Sequence, residues 1–169
     1  MTKPDKNEYA AYYSRYVDLV SDGDIITTLE NQLHQTESLL QTISPEKSLH
    51  SYAPEKWTIR QLTGHINDTE RVFAFRALWF ARRLPESLPS LDQDSSVRAA
   101  GSNDVPWSAL TEEFRNVRRS TISLFKGLPE IAWTYSGVAS DNEVTVNALA
   151  YIIAGHLTHH LNVLEERYL

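Results

Sequence analysis

Three of the six histidines fall in the closing run AGHLTHHLNVLEERYL. His156 and His160 are four residues apart, a spacing that on a helix puts two side chains on one face, roughly 5–6 Å apart at Cβ. Two imidazoles so placed can converge on one metal ion at about 2.0–2.1 Å per nitrogen. On the helical wheel the pair shares the face of Leu149, Ile153 and Leu164, an apolar face that should point into a core. His159 points about 60° away from His156, toward the edge of that face, and is a weaker ligand candidate. A helical pair supplies only two nitrogens. His65 is the natural third, because it lies one turn into a second long helix on the face of Thr69, Val72 and Arg76. Three ligands from two facing helices leave coordination positions open, which is the arrangement of catalytic rather than structural zinc sites. Spacing alone is a weak signal. Two readings stand on the residues: a three-histidine metal site, or three core histidines each bonded to a carbonyl or carboxylate.

Other side chains near these positions admit similar pairs of readings. Asp68, one turn from His65, either orients an imidazole as an outer carboxylate or is an exposed helix residue. Arg76 either receives a carboxylate of a substrate or cofactor, or makes a structural ion pair with Glu37, Glu113 or Asp68; the ion pair is the commoner outcome. Trp57, Phe73, Phe75, Trp79, Phe80 and Tyr151 read as core. Trp107 and Trp133 border loops and could line a pocket mouth, and Tyr12, Tyr13 and Tyr16 form a packing stripe. His34 and His50 fall at surface positions. There is no Glu-x-x-His pair for a di-iron bundle, no His-Glu-x-x-His, no phosphate-binding glycine loop and no Gly-x-Ser-x-Gly elbow.

Four helices must position these residues. The first is expected from about Asp24 to Ile43, with Ile26, Leu29, Leu33, Leu40 and Ile43 inward, a cap from Asp22 or Asp24, and Pro45 beyond its end. The second begins at a Thr58/Gln61 capping box and runs through IRQLTGHINDTERVFAFRALWFARR, stopping before Pro85. Gly64 inside it costs roughly 1 kcal/mol of propensity relative to Ala, which asks for a packing or functional reason. The third starts near Pro106 and ends at Gly127 and Pro129, and the fourth runs from about Thr145 to the C-terminus. Between the second and third, PESLPSLDQDSSVRAAGSNDVP reads as a long ordered loop with one short turn at most. WTYSGVASDNEVTV suggests a short extended stretch or hairpin, and EYAAYYSRYVDLV a short helix across the bundle. The expected architecture is an all-α four-helix bundle, as a single domain over residues 1–169.

Composition narrows the functions. The chain has no cysteine, so thiolate metal sites, a cysteine nucleophile and disulfides are excluded. A net charge of -6 with no basic run gives nucleic acid no electrostatic footprint. No apolar run approaches a membrane span, and the N-terminus has no secretory h-region, so a cytoplasmic protein is expected.

KWTIRQLTGHINDTERVFAFRALWFAR together with AYIIAGHLTHHLNVLEERY resembles the DinB/YfiT-like superfamily of metalloenzymes, closest to its DinB-like branch. The likeness extends from EYAAYYSRYVDLV to the terminal ERYL. It implies a four-helix bundle whose metal site takes one histidine from the second helix and two from the last. Carried onto this sequence, those are His65, His156 and His160. The family's last motif commonly reads Gly-His-Glu-x-His-His, and here Leu157 replaces that glutamate. The ligands are untouched, but any acid–base role of the glutamate is lost. The resemblance further implies a divalent ion, zinc or nickel, a small-molecule substrate and a homodimer. The reaction it implies is transfer involving a low-molecular-weight thiol such as bacillithiol or mycothiol. A metal-dependent hydrolase and a non-catalytic metal-binding stress-response domain are the competing expectations.

Overall fold

Four helix starts in this protein are marked by side chains that accept from their own backbone donors. The computed structural model describes Met1 to Leu169. After a short helix α1 (Ser14–Val17) comes α2 (Ile25–Gln41), where the Asp24 carboxylate accepts from the Thr27 amide. Helix α3 (Ile59–Ala81) opens on the Thr58/Gln61 capping box, with both reciprocal bonds made. The connection after it is not irregular throughout. Asp92 caps an eight-residue helix α4 (Gln93–Ala100), which ends at Gly101 in the left-handed region. Its only buried residue is Val97, so no apolar period announced it. Helix α5 (Trp107–Lys126) follows Pro106, and Thr145 caps α6 (Val146–Arg167). Between them, β1 (Ser136–Ala139) and β2 (Asn142–Thr145) pair as a hairpin through Ser140 and Asp141, both at positive φ.

The four long helices form a four-helix bundle. α3 packs against α5 and α6, and α2 against the same two, so the diagonal pairs are α2/α3 and α5/α6. The helices bearing the candidate histidines, α3 and α6, are thus neighbours. One connected apolar core runs from Tyr9 to Tyr168. On α2 the residue fully buried at the helix start is Ile25, and Ile26 is only half-buried, because the first turn meets the core one position earlier than the period suggests. Trp107 and Trp133 are buried rather than at a pocket mouth. Trp107 donates its indole N–H to the Ile43 carbonyl, and Trp133 packs on Phe125. Phe75 is exposed instead of core. No helix is long and apolar enough to cross a membrane.

Two glycines permit close approaches that shape the site. A Cβ at Gly64 would meet Ser102, so the turn after α4 sits directly on α3, one residue before His65. A Cβ at Gly155 would collide with the carbonyl of Tyr16, so the backbone of α1 crosses α6 one residue before His156. The N-terminal segment is fastened there by further bonds. The Thr145 amide donates to the Glu8 carbonyl, and the Asn147 amide nitrogen to the Thr2 carbonyl.

Candidate metal centre

His65, His156 and His160 come together where α3 faces α6, with one ring nitrogen of each within 4.8 Å of the others. The Nε2 atoms of His65 and His156 are 3.2 Å apart, and those of His160 and His156 are 3.0 Å apart. In a tetrahedron with metal–nitrogen bonds near 2.05 Å, the nitrogens would stand ~3.3 Å apart. The spacing therefore suits a shared ion. Hydrogen bonding alone does not satisfy it. A ring nitrogen carries either one hydrogen or one lone pair. The Nε2 of His156 faces two other Nε2 atoms and can bond only one of them. A central cation would accept all three lone pairs.

His65 and His156 are buried and His160 is half-buried. Burial lowers His65 to about 4 and His160 to about 3, and pushes His156 well below its ordinary value. The neighbouring imidazoles add to the depression at His160 and His156. All three rings are therefore neutral near pH 7, as ligation requires. The Nδ1 of His65 lies 3.3 Å from the hydroxyl oxygen of Thr69. With Nε2 turned to the centre, Nδ1 carries the proton and donates to that oxygen, which orients the ring.

The remaining sequence candidates occupy different places. Asp68 makes no bond to an imidazole; its carboxylate is 3.4 Å from Arg71 and half out in solvent. The Tyr16 ring packs edge-on at 5.6 Å to His159, which makes no hydrogen bond to the triad. Arg76 is buried but has none of the ion-pair partners expected for it. Glu37 pairs with Arg115, while Glu113 and Asp68 pair with Arg71. The Arg76 Nη2 instead donates to the Pro89 carbonyl and the Ser140 hydroxyl. Leu157 is buried in the core, so no carboxylate stands there.

Two separate clefts reach the triad. One, of about 110 Å³, is lined by His65 and His156 with Tyr13, Tyr16, Phe73 and Arg76. The other, of about 400 Å³, is lined by His160 with Trp57, Lys56, Asp94, His159 and Tyr168. Aromatic rings form the walls around the histidines. Tyr16 lies 5.3 Å from His156, Phe73 6.1 Å from it, and Trp57 4.9 Å from His65. Burial, assisted by the neighbouring Tyr12 phenol, raises the Tyr16 hydroxyl to about 12, so it stays a proton donor. Gln93 and Asp94, in the first turn of α4, border one cleft each. Sequence reasoning passed over Asp94 and the tyrosine wall. The D-x-x-S cap at Asp92 was the available signal for α4.

Comparison with known proteins came to the same fold. The family profile described as the DinB superfamily matches residues 28–164. No curated protein matches the sequence. Among solved structures, YfiT from Bacillus subtilis superposes with a TM-score of 0.72 at 16% identity, covering 84% of this chain and 82% of its own. It is described as "a probable metal-dependent hydrolase with an unusual four-helix bundle topology". A mutant of a mycothiol-dependent maleylpyruvate isomerase superposes with a TM-score of 0.68 at 14% identity. That match covers 81% of this chain and 58% of the isomerase.

Proposed function

This chain belongs to the DinB superfamily, and from that premise we propose a metal-dependent transferase that joins a low-molecular-weight thiol to a small electrophile at a His65–His156–His160 centre. The observation that carries the proposal is the pair of clefts. One reaches the triad past His65 and His156, and the other past His160. The two clefts share no lining residue, so each can take one reactant beside the centre. The chain has no cysteine, so the sulfur must come from outside. When bound, a divalent ion such as zinc or nickel supplies the positive charge that favours the thiolate, the reactive form of a thiol.

The chain's own groups do the positioning. The three neutral imidazoles hold the ion, and Thr69 fixes the ring of His65. Tyr16, Phe73 and Trp57 keep the surroundings apolar, which strengthens electrostatic interactions at the centre. In the transfer, a sulfur–carbon bond forms, the leaving group departs with its electron pair, and the thiol proton passes to solvent.

Hydrolysis, the activity in the description of YfiT, is the competing reaction. It needs a base to take a proton from water, and Leu157 puts an aliphatic chain where the family motif commonly carries a carboxylate. Untagged protein loaded with zinc or nickel, assayed with a thiol panel and an aryl or alkyl halide, tests the proposal. Turnover requiring both metal and thiol supports it. Ester cleavage requiring metal alone would favour the hydrolase, and silence in both assays the non-catalytic metal-binding domain.

A further inference from the structure

Arg76 is 4% exposed, yet no carboxylate of the protein touches it. A guanidinium is a permanent cation with five N–H donors. Two of them, on Nη2, go to the Pro89 carbonyl at 2.7 Å and the Ser140 hydroxyl at 3.1 Å. The donors on Nε and Nη1 have no protein acceptor, and neither nitrogen is sealed from solvent. These N–H groups are therefore free to take an acceptor from outside the protein, an anion above all. The contrast with Arg118 makes the point, because that arginine, also buried, is paired to Glu70 at 2.8 Å.

The guanidinium stands between the smaller cleft and a surface groove, and lines both. Ser140, its hydrogen-bond partner, lines that cleft, and so does Phe73, whose ring centre is 5.7 Å from the guanidinium carbon. The same Phe73 ring is 6.1 Å from His156, so it bridges the cation and the histidine centre. On the groove side the Pro89 carbonyl already takes an Nη2 hydrogen, and of the two only the smaller cleft borders the histidine centre. The smaller cleft has no acidic side chain in its lining, in a protein whose net charge is -6. The larger cleft, by contrast, is bordered by Glu55 and Asp94 against a single Lys56.

We propose that the smaller cleft binds a small carboxylate-bearing molecule, with its carboxylate on the free N–H groups of Arg76 and its other end beside the histidine centre. This inference names the electrophile's chemical class and to that extent rests on the proposed function. The carboxylate site itself does not depend on which reaction follows. A volume of about 110 Å³ suits an acid of a few carbons, whereas drug-sized ligands occupy roughly 300–1,000 Å³.

The test uses the full chain loaded with zinc. Propanoate and propanamide, of the same size but different charge, are titrated calorimetrically and by NMR of the Arg76 Nε–H. Propanoate should bind roughly tenfold or more tightly than the amide, as a charge-assisted bond would give. It should shift the Arg76 Nε–H resonance, and Arg76→Met should remove the preference while Arg76→Lys keeps part of it. Equal binding of acid and amide, or a preference that survives Arg76→Met, overturns the site; the second result would mean the acid sits on the metal alone. If Arg76→Met does not fold, the resonance shift in the unsubstituted protein decides: a shift with propanoate supports the site, and its absence overturns it. Chloroacetate and chloroacetamide, assayed with thiol, separate this inference from the reaction. A chloroacetate preference lost in Arg76→Met supports both. Arg76-dependent propanoate binding without any thiol turnover keeps the carboxylate site and removes the transferase.

Discussion

Two polar clusters are buried along α3, beginning five residues apart at His65 and Glu70, and they are finished in opposite ways. Glu70 accepts from Arg118 of α5, and Arg118 also donates to Gln32 of α2 at 3.0 Å. Gln32 in turn donates to the Ala154 carbonyl and the Thr158 hydroxyl of α6, each at 2.9 Å. One polar chain thus crosses all four helices with its charges cancelled. Glu70 Oε1 and Arg118 Nε lack partners, but the pair as a whole is neutral. The histidine cluster spans only α3 and α6 and brings three ring nitrogens face to face with no carboxylate among them. A buried cluster that closes on itself ties helices together. One that gathers neutral ring nitrogens at a point suits a cation.

The largest effect expected from this contrast is on the closed cluster. Glu70→Ala strands the Arg118 guanidinium in the core and should cost about 3–5 kcal/mol, read from urea unfolding. A loss under about 1 kcal/mol, within the range of ordinary surface changes, would erase the distinction. Next comes the histidine cluster. His160→Ala should weaken zinc or nickel binding by more than about 100-fold, beyond the range of an outer-shell change, measured by competition with a chelator. Its metal-free stability should shift less than that of Glu70→Ala. If the metal-free proteins lose stability equally, the histidines are framework too.

The third expectation is a pH dependence confined to the metal-free protein. His65 and His160 titrate at about 4 and about 3 when folded, below the ordinary 6.5 of an unfolded chain. Between these values the unfolded state binds more protons, so stability rises with pH. The histidine contribution is therefore complete above pH 6.5 and is lost as pH falls toward 4 and then 3. Urea midpoints across this range should decline, and replacing both residues by leucine should flatten the decline. A slope unchanged by the replacement would place the titration elsewhere. The smallest effect belongs to Thr69→Val, which removes the partner of His65 Nδ1. Metal affinity should fall about tenfold, at the low end for such outer contacts, with little change in unfolding.

Much of this was readable before any coordinates. The Thr58/Gln61 box, Asp24 and Thr145 announce their helices because capping is a local bond between residues three apart. The face carrying His156 and His160 was legible from period alone, and so was the inward direction of His65. What a period cannot say is which helix lies opposite. The diagonal placement of α2 and α3 was therefore hidden, and with it the pairing of Glu37 with Arg115 rather than Arg76. Helix α4 escaped because a single buried valine leaves no pattern to find. Trp107 and Trp133 were misplaced because a position near a loop does not reveal burial, which the tertiary packing decides. Tyr16 read only as a packing stripe, since its approach to His156 depends on a crossing between segments some 140 residues apart.

The crossing at Gly155 ties the shape of the centre to the seating of the N-terminal segment. One wall of the smaller cleft, that of Tyr12, Tyr13 and Tyr16, lies outside the four long helices; it is a belt drawn over α6 and seated where a side chain is missing. A side chain at position 155 would push that belt off α6, taking Tyr16 from beside His156 and Val17 out of the core. The wall of the cleft and part of the core hang together on one absent Cβ.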